Sequence, residues 1–150
     1  MKRIAALLLL IAVGCSSGGN VPPDLIPPEF RVREISGQFR PRGSEAVPLT
    51  LQVDIFNHSS EELVLRRLQL QSTGGGAYRF GPTSRDFSRK ILSQSVQTVD
   101  VPIMASLESL TIDPSTPVTL RGTAIFDSPF GKIRRVFNVT LEDKGAREIR

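Results

Sequence analysis

Residues 47–56 have the sequence VPLTLQVDIF, in which apolar and polar side chains alternate. The apolar set occupies the odd positions from Val47 to Ile55, and the even positions stay largely polar until Phe56. A period of two places the two sets on opposite faces of a β-strand. The segment therefore predicts a half-buried strand. Residues 57–60, NHSS, predict a turn after it, because Asn and Ser side chains hydrogen-bond to turn backbone locally.

Several other segments carry the same kind of pattern. Residues 118–126 alternate through Leu120, Gly122, Ala124 and Phe126, and residues 133–141 keep their apolar side chains mostly on one parity. Residues 63–71 lose phase at Arg66-Arg67, which predicts a β-bulge. Further strands are predicted at residues 30–39 (with a bulge at Gly37), 77–80 and 97–103, where Pro102 indicates a position near an edge or end.

The segments between these strands predict turns and loops. Residues 81–90 indicate a polar loop with at most a short strand at Phe87, and residues 105–110 indicate a helical turn. Residues 127–131, DSPFG, are rich in chain-breaking residues. About seven short strands at regular spacing, without a long helical period, predict an all-β fold: an antiparallel β-sandwich.

The amino terminus has a different pattern. Lys2 and Arg3 precede an apolar run over residues 4–13, which is shorter than the roughly 20 residues that a membrane-spanning helix needs. A short apolar run behind positive charges is typical of a secretory signal peptide. The small residues 12–14 directly before Cys15 resemble a bacterial lipobox, although Ala12 stands where leucine is commonest. This resemblance implies cleavage before Cys15 and acylation, with palmitate-type chains, of its sulfur and its new amino terminus.

Two other roles for Cys15 fit the sequence poorly. An intrachain disulfide is excluded, since Cys15 is the only cysteine. A catalytic cysteine needs a lowered thiolate pKa and a neighbouring base, and nothing in residues 4–20 supplies either. We therefore expect a protein of the cell envelope, anchored in the membrane through lipid at Cys15. In a Gram-negative host, Ser16 after the cysteine implies sorting to the outer membrane, facing the periplasm.

The sequence thus predicts four parts: a signal peptide over 1–14, the acylated cysteine with a Ser/Gly/Pro-rich tether over 15–29, a sandwich domain over 30–141 and a charged tail over 142–150. Gly and Ser give the first part of the tether flexibility, and two Pro-Pro pairs stiffen the rest. Fully extended, residues 16–28 reach at most roughly 40 Å. They can hold a folded domain clear of the lipid headgroups.

Composition excludes some classes of function. Loss of Lys2 and Arg3 with the signal peptide lowers the formal net charge from +4 to +2, which does not indicate a nucleic-acid partner. A mature domain without cysteine fits a periplasmic protein that relies on its core rather than on disulfides.

Candidate catalytic and metal-binding residues are few. Asp54, His58, Glu61 and Glu62 are ligand types, but their spacing matches no recognised metal site, and a polar strand end with a solvated turn is the favoured interpretation. His58 is the only histidine, and no nucleophile-elbow pattern flanks a serine. Gly74-Gly75-Gly76 lacks the Lys-Ser/Thr of a phosphate loop. We predict no catalytic, cofactor or metal site, and a protein that is not an enzyme.

Two pairs of adjacent arginines lie on predicted strands. Alternation sends one member of each pair to each face, so we expect Arg66 and Arg134 to face solvent. Arg135 shares its parity with Phe137 and is expected near an edge of the sandwich, its stem covering apolar surface. The favoured interpretation is that these charges protect exposed strands from edge pairing; a basic patch that contacts anionic lipid is the alternative.

Two stretches resemble a known family. LTLQVDIFN at 49–57 followed by LVLRRLQL at 63–70, and LRGTAIFDSPFG at 120–131 followed by FNVTL at 137–141, are similar to the late embryogenesis abundant type 2 domain, also called the water-stress and hypersensitive-response (WHy) domain. The resemblance covers about residues 30–141. It implies an immunoglobulin- or fibronectin-like sandwich of about seven strands, no established catalytic residues and an association with desiccation and stress tolerance. His58-Ser59 stand where Pro-Asn is usual, which bears on turn geometry.

Two functions follow as expectations. The first is a non-catalytic envelope lipoprotein that serves as a stress- or desiccation-linked protective or interaction module, with a protein or lipid of the envelope as partner. The alternative is a lipid-binding or lipid-handling domain that takes an acyl chain between its sheets. An interaction module should have a filled core between its sheets and an exposed apolar or strand-edge patch. A lipid-handling domain should instead have an apolar groove between its sheets.

Overall fold

The computed structural model describes residues 25–35, 45–74, 76–113 and 116–141, and its regular elements there are all strands. The eight strands are β1 (Glu29–Glu34), β2 (Val47–Asn57), β3 (Leu63–Ser72), β4 (Tyr78–Phe80), β5 (Thr83–Ile91), β6 (Ser95–Leu107), β7 (Val118–Ser128) and β8 (Gly131–Leu141). They form two antiparallel four-stranded sheets in the orders β1-β2-β6-β4 and β5-β3-β7-β8. No helix long and apolar enough to cross a membrane occurs within the described residues. The all-β sandwich is confirmed.

The spatial order of the strands is that of an immunoglobulin-like sandwich, but β5, which lies between β4 and β6 along the chain, departs from its connectivity. β1, β2 and β6 take the positions of strands A, B and E in one sheet, with β4 beside β6 where strand D lies. β3, β7 and β8 take the positions of C, F and G in the other sheet, and β5 is added on the free side of β3. The sequence predicted about seven strands, and the additional one is β5.

The core lies between the two sheets, at the inward positions of the alternating strands. The inward side chains from the strand centres are fully buried: Leu51, Val53, Ile55, Leu65, Leu68, Leu120, Ala124 and Phe126. Removing this apolar surface from water is the dominant stabilising term of the fold. The predicted strands at 47–56 and 118–126 are confirmed with their predicted inward parity.

The bulge in β3 is also confirmed. The pairing of β3 with both β5 and β7 shifts register between Leu65 and Arg67. The extra residue lets Leu65 and Leu68 both point inward while Arg66 and Arg67 are both exposed. The prediction that these two arginines lie on opposite faces is therefore wrong, because the bulge interrupts the alternation between them.

Pro102 lies within β6 at a place where a proline is tolerated. It pairs with Thr50 of β2, whose carbonyl accepts a hydrogen bond from the Ile35 amide at 3.2 Å and so points away from β6. The missing N–H of Pro102 therefore leaves no β2 acceptor unpaired. In the described structure β4 pairs with β6 only at Leu107, Ser106 and Ala105, so Pro102 lies at a locally open edge, as the sequence predicted.

Three predicted elements differ from the structure. Residues 81–90 form most of β5 rather than a loop. β5 is an edge strand, and apart from Phe87 and Ile91 its side chains are polar or charged on both faces. The sequence there has no alternation of apolar and polar residues because neither face of the strand is fully buried. The predicted helical turn at 105–110 is wrong, since Ala105 to Leu107 complete β6 and pair with β4. The first strand ends at Glu34, and residues 36–40 with Gly37 lie outside the described residues, as does the tail at 142–150.

One aromatic stack joins the two sheets at a side of the sandwich. Phe30 of β1 stacks on Phe137 of β8 with ring centroids 3.7 Å apart and an interplanar angle of 4°. The Phe137 ring covers Gly122 on β7, where an added Cβ would lie 2.1 Å from Cζ of the ring. Gly122 is needed here because the ring lies almost directly on the backbone.

Candidate functional site

The predicted lipidation site, Cys15, lies outside the described residues, as do the predicted signal peptide and most of the predicted tether. The described chain begins at Leu25, which packs against the core, and continues through the buried Pro28 into β1. The tether therefore joins the sandwich at the end where β1 starts.

The ligand-type residues at the end of β2 do not converge on one point. The Asp54 carboxylate accepts hydrogen bonds from Arg33 Nη2 at 2.7 Å and from Thr98 Oγ1 at 2.8 Å. Glu62 forms an ion pair with Lys90 at 3.1 Å. No group of three or more His, Cys, Asp or Glu residues suited to a metal ion occurs in the described part of the chain.

Asn57 and Ser59 of the turn after β2 are buried, so its interpretation as a solvated turn holds only for His58 and Ser60. Asn57 is 1% exposed and Ser59 is 0% exposed. The Asn57 Oδ1 accepts hydrogen bonds from the amide and the hydroxyl of Ser59, at 3.1 and 2.6 Å. The Asn57 Nδ2 donates to the carbonyls of Glu61 and Leu92, at 2.7 and 3.0 Å. One amide group thus links the β2–β3 turn to the β5–β6 turn and satisfies buried backbone at this end of the sandwich.

His58 lies at the surface of the same turn. Its side chain is 43% exposed, and its ring stacks on Phe56 with centroids 6.2 Å apart. Its Nε2 lies 3.4 Å from Glu29 Oε2, within range of an ion pair, but makes no hydrogen bond. The guanidinium of Arg31 lies 5.4 Å from the centre of the Phe56 ring. The histidine is thus part of an aromatic and cationic stack on the outer face of the first sheet.

The two arginines at the bulge are paired. Arg66 Nε donates to Asp127 Oδ2 at 2.6 Å, and Arg67 Nε donates to Asp86 Oδ1 at 2.6 Å. The hydrogen bond and the negative charge of Asp86 raise the pKa of Arg67 above its usual value. Both pairs are accessible to water, which screens their charges, so each contributes little stability.

The cations on β8 differ from these. Lys132, Arg134 and Arg135 are exposed, and none of their side chains has an ion-pair or hydrogen-bond partner among the described residues; Lys132 lies opposite Asp127, whose carboxylate is paired with Arg66. Arg134 faces solvent as predicted, and Arg135 lies at an edge of the sandwich as predicted, because β8 is the outer strand of its sheet. β8 contains no acidic residue. The strand therefore presents unneutralised positive charge along an open edge.

Several exposed apolar side chains lie near one end of the sandwich, which we call the tether end, whereas Ile35, Met104 and Leu110 are exposed near the other end. The tether end consists of the start of β1 and the β2–β3, β5–β6 and β7–β8 turns. Ile26 lies just before β1, Leu92 lies in the β5–β6 turn and Phe130 lies in the β7–β8 turn, and all three are more than half exposed. Phe130 adjoins the basic strand β8. The sequence marked residues 127–131 only as a turn, although an aromatic residue among chain-breaking residues is a signal of an exposed tip.

Comparisons with known proteins address the fold only. No family model and no curated protein matches the chain. Among solved structures, a Northeast Structural Genomics Consortium target named SoR45 is similar at 13% identity with a TM-score of 0.51, over 83% of this chain and 91% of that one. The GAE domain of yeast GGA1 gives a TM-score of 0.42 at 17% identity, over 81% of this chain and 95% of that one, which is too low to carry an argument. The likeness to SoR45 shows the β-sandwich fold alone.

Proposed function

We propose that the protein is a membrane-anchored lipoprotein of the cell envelope whose sandwich domain is a non-catalytic interaction module linked to desiccation or other envelope stress. One observation carries the interaction role. The β7–β8 hairpin presents an exposed aromatic residue, Phe130, beside the unpaired cations of β8. Exposed apolar side chains mark an interaction surface when several of them are grouped and bordered by polar residues, and Ile26 and Leu92 are exposed at the same end of the sandwich as Phe130.

The anchor is supported by the sequence around Cys15. A positive start, a short apolar run and small residues lead to the only cysteine of the chain. Each buried CH₂ of an acyl chain contributes about 0.8 kcal/mol, so several chains hold a protein firmly on the membrane. Residues 16–28 then keep the domain within roughly 40 Å of the surface.

The contacts of the titratable side chains support a binding role over catalysis. General acid–base catalysis needs a proton donor or acceptor within reach of a substrate. The Asp54 carboxylate is held by Arg33 and Thr98, and His58 stacks on Phe56 with Glu29 beside it. These side chains are occupied in joining strands and turns to each other.

The stress assignment rests on the resemblance to the late embryogenesis abundant type 2 domain. Asn57, the last residue of the first resembling stretch, closes one end of the sandwich through its buried amide. Because Asn57 stabilises the turns at one end of the sandwich, the sequence motif that it ends is a structural motif and not a catalytic one. We therefore assign the stress role to the domain as a whole.

Complementation of a deletion strain under drying and osmotic stress tests the proposal. We expect the wild type and His58→Ala to restore survival and Cys15→Ser to fail, because the anchor sets the location and the exposed imidazole has no chemical role. Failure of His58→Ala at normal abundance would contradict a non-catalytic domain. A deletion strain that survives as well as its parent would contradict the link to stress.

Lipid handling between the sheets is the alternative outcome. The centres of both sheets contribute fully buried side chains to the shared core, among them Leu51, Leu68 and Phe126. This supports a filled core, from which we expect no lipid to be retained. Native mass spectrometry of detergent-free domain checks this, and co-purifying phospholipid or fatty acid in stoichiometric amount would favour the alternative.

A further inference from the structure

We infer that the tip of the β7–β8 hairpin docks onto the anionic lipid surface of the membrane that carries the anchor, with Phe130 at the headgroup boundary and Lys132 and Arg134 on lipid phosphates. This inference rests on the lipid anchor of the proposed function and adds which surface of the domain faces the bilayer.

The first step is position. The tether enters at β1, where Glu29 pairs with Phe56 at the end of β2. The ring of Phe30, the next residue of β1, lies 6.3 Å from that of Phe126, close to the end of β7. The start of the folded domain and the β7–β8 turn thus share one end of the sandwich. A domain held by this tether presents that end to the membrane most readily.

The second step is the rigid display of Phe130, which is 55% exposed. Pro129 and Phe130 form a two-residue turn between Ser128 and Gly131, which are paired in register. The Ser128 hydroxyl accepts a hydrogen bond from the Phe130 amide at 3.2 Å and donates one to the Gly131 carbonyl at 2.9 Å. A turn fixed by its own side chain loses little conformational freedom when its tip enters another phase.

The third step is charge. Lys132 and Arg134 lie two residues apart on the outward parity of β8, about 7 Å from each other along the strand, and neither has a partner among the described residues. Among the acidic residues at the tether end, Asp127 pairs with Arg66 and Glu62 pairs with Lys90, while Glu29 lies beside His58 and Glu61 has no ion pair among the described residues; only Asp127 belongs to the described part of the hairpin. The hairpin side of this end therefore carries the uncompensated positive charge.

The combination identifies a lipid surface as the partner. Apolar side chains such as Phe, Trp and Leu insert at the boundary between headgroups and acyl chains, and long cationic side chains reach outward from it to phosphates. Anionic lipid attracts basic residues within about one Debye length of the surface, roughly 8 Å at physiological ionic strength. Lys132 and Arg134 follow the aromatic tip closely enough to lie in that layer when Phe130 reaches the boundary.

Tryptophan fluorescence tests the inference cleanly, because the chain contains no tryptophan. We would place the acylated mature protein, as Phe130→Trp, in vesicles of phosphatidylethanolamine and phosphatidylglycerol. Met104→Trp is the matched control, since Met104 is 47% exposed and pairs with Pro48 near the opposite end of the sandwich. We expect a blue-shifted emission that brominated lipid quenches at position 130, and neither effect at position 104.

A charge variant tests the second half of the inference. Arg134→Glu in the Phe130→Trp protein should abolish most of the quenching, whereas Arg79→Glu, which changes an exposed cation on β4, should leave it intact. Vesicles of phosphatidylcholine alone should also remove most of the quenching. Equal quenching in both lipids would overturn the assignment to anionic headgroups.

Two further results separate this inference from the anchor. If the protein floats with vesicles through an acylated Cys15 but the emission at position 130 matches that at position 104, the docking is wrong and the anchor stands. If mass spectrometry finds Cys15 unmodified and the protein fails to float, the anchor is wrong and the docking is overturned with it.

Discussion

At the scale of single residues, burial determines which polar side chains stabilise this protein. The Asn57 amide satisfies turn backbone at a site closed to water, and a buried polar group that loses its partner costs about 1–3 kcal/mol. The guanidinium of Arg67 makes an equally short contact to Asp86 in solvent, where water screens the charges and the pair contributes much less.

Replacing Asn57 tests this difference. We expect Asn57→Ala to lower the free energy of unfolding by about 2–4 kcal/mol, because it leaves buried donors and acceptors of two turns without partners. His58→Ala is the control in the same turn and should cost less than about 1 kcal/mol, since that side chain is 43% exposed. Urea denaturation measures both. Equal losses would contradict the assignment of the turn's stability to the Asn57 amide.

At the scale of the elements, the sequence predicted strands where one face is buried and failed where both faces meet solvent. The apolar period of two marked β2 and β7, and the loss of phase at Arg66-Arg67 located the bulge in β3. β5 was missed because an edge strand that buries little beyond Phe87 and Ile91 has no alternation to detect. The end of β6 was missed because its pairing with the three-residue β4 is a tertiary contact without a local signal.

The register of β7 can be checked with two neighbouring residues. Leu120 is fully buried and Thr119 lies on the opposite parity. Leu120→Ala should cost about 2–5 kcal/mol, through lost transfer free energy and the cavity left behind. Thr119→Ala should cost far less, because its side chain points away from the core. If urea denaturation gave the same loss for both, the strand would have a different register.

The contact between Gly122 and Phe137 gives a prediction about packing between neighbouring strands. Gly122→Ala should destabilise the domain by about 1–3 kcal/mol, since the new Cβ would overlap the Phe137 ring and force it off Phe30. In the Gly122→Ala background, Phe137→Leu should lower the free energy of unfolding by less than it does in the wild type, because the smaller leucine leaves room for the new methyl group. Strictly additive losses in thermal unfolding would rule out this steric explanation.

At the scale of the whole molecule, the fold places the tether, the buried Asn57 turn and the basic hairpin at one end. The lipobox-like run before Cys15 could be recognised from the sequence, because a signal of this kind is read as sequence before folding. The exposure of Phe130 and the unpaired side chains of Lys132 and Arg134 could not be predicted from the sequence, since both depend on which side chains the strand register brings together. The proposed anchor thus rests on the sequence, and the proposed membrane-facing surface rests on the fold.

The most direct measurement is the mass of the mature amino terminus, combined with fatty-acid labelling of the wild type and Cys15→Ser in a bacterial host. We predict a chain that begins at Cys15 and carries acyl chains on its sulfur and amino group, with label in the wild type and none in Cys15→Ser, because no other thiol can accept the diacylglycerol group. A mature chain that begins elsewhere, or equal labelling of both proteins, would contradict the membrane anchor and the function built on it.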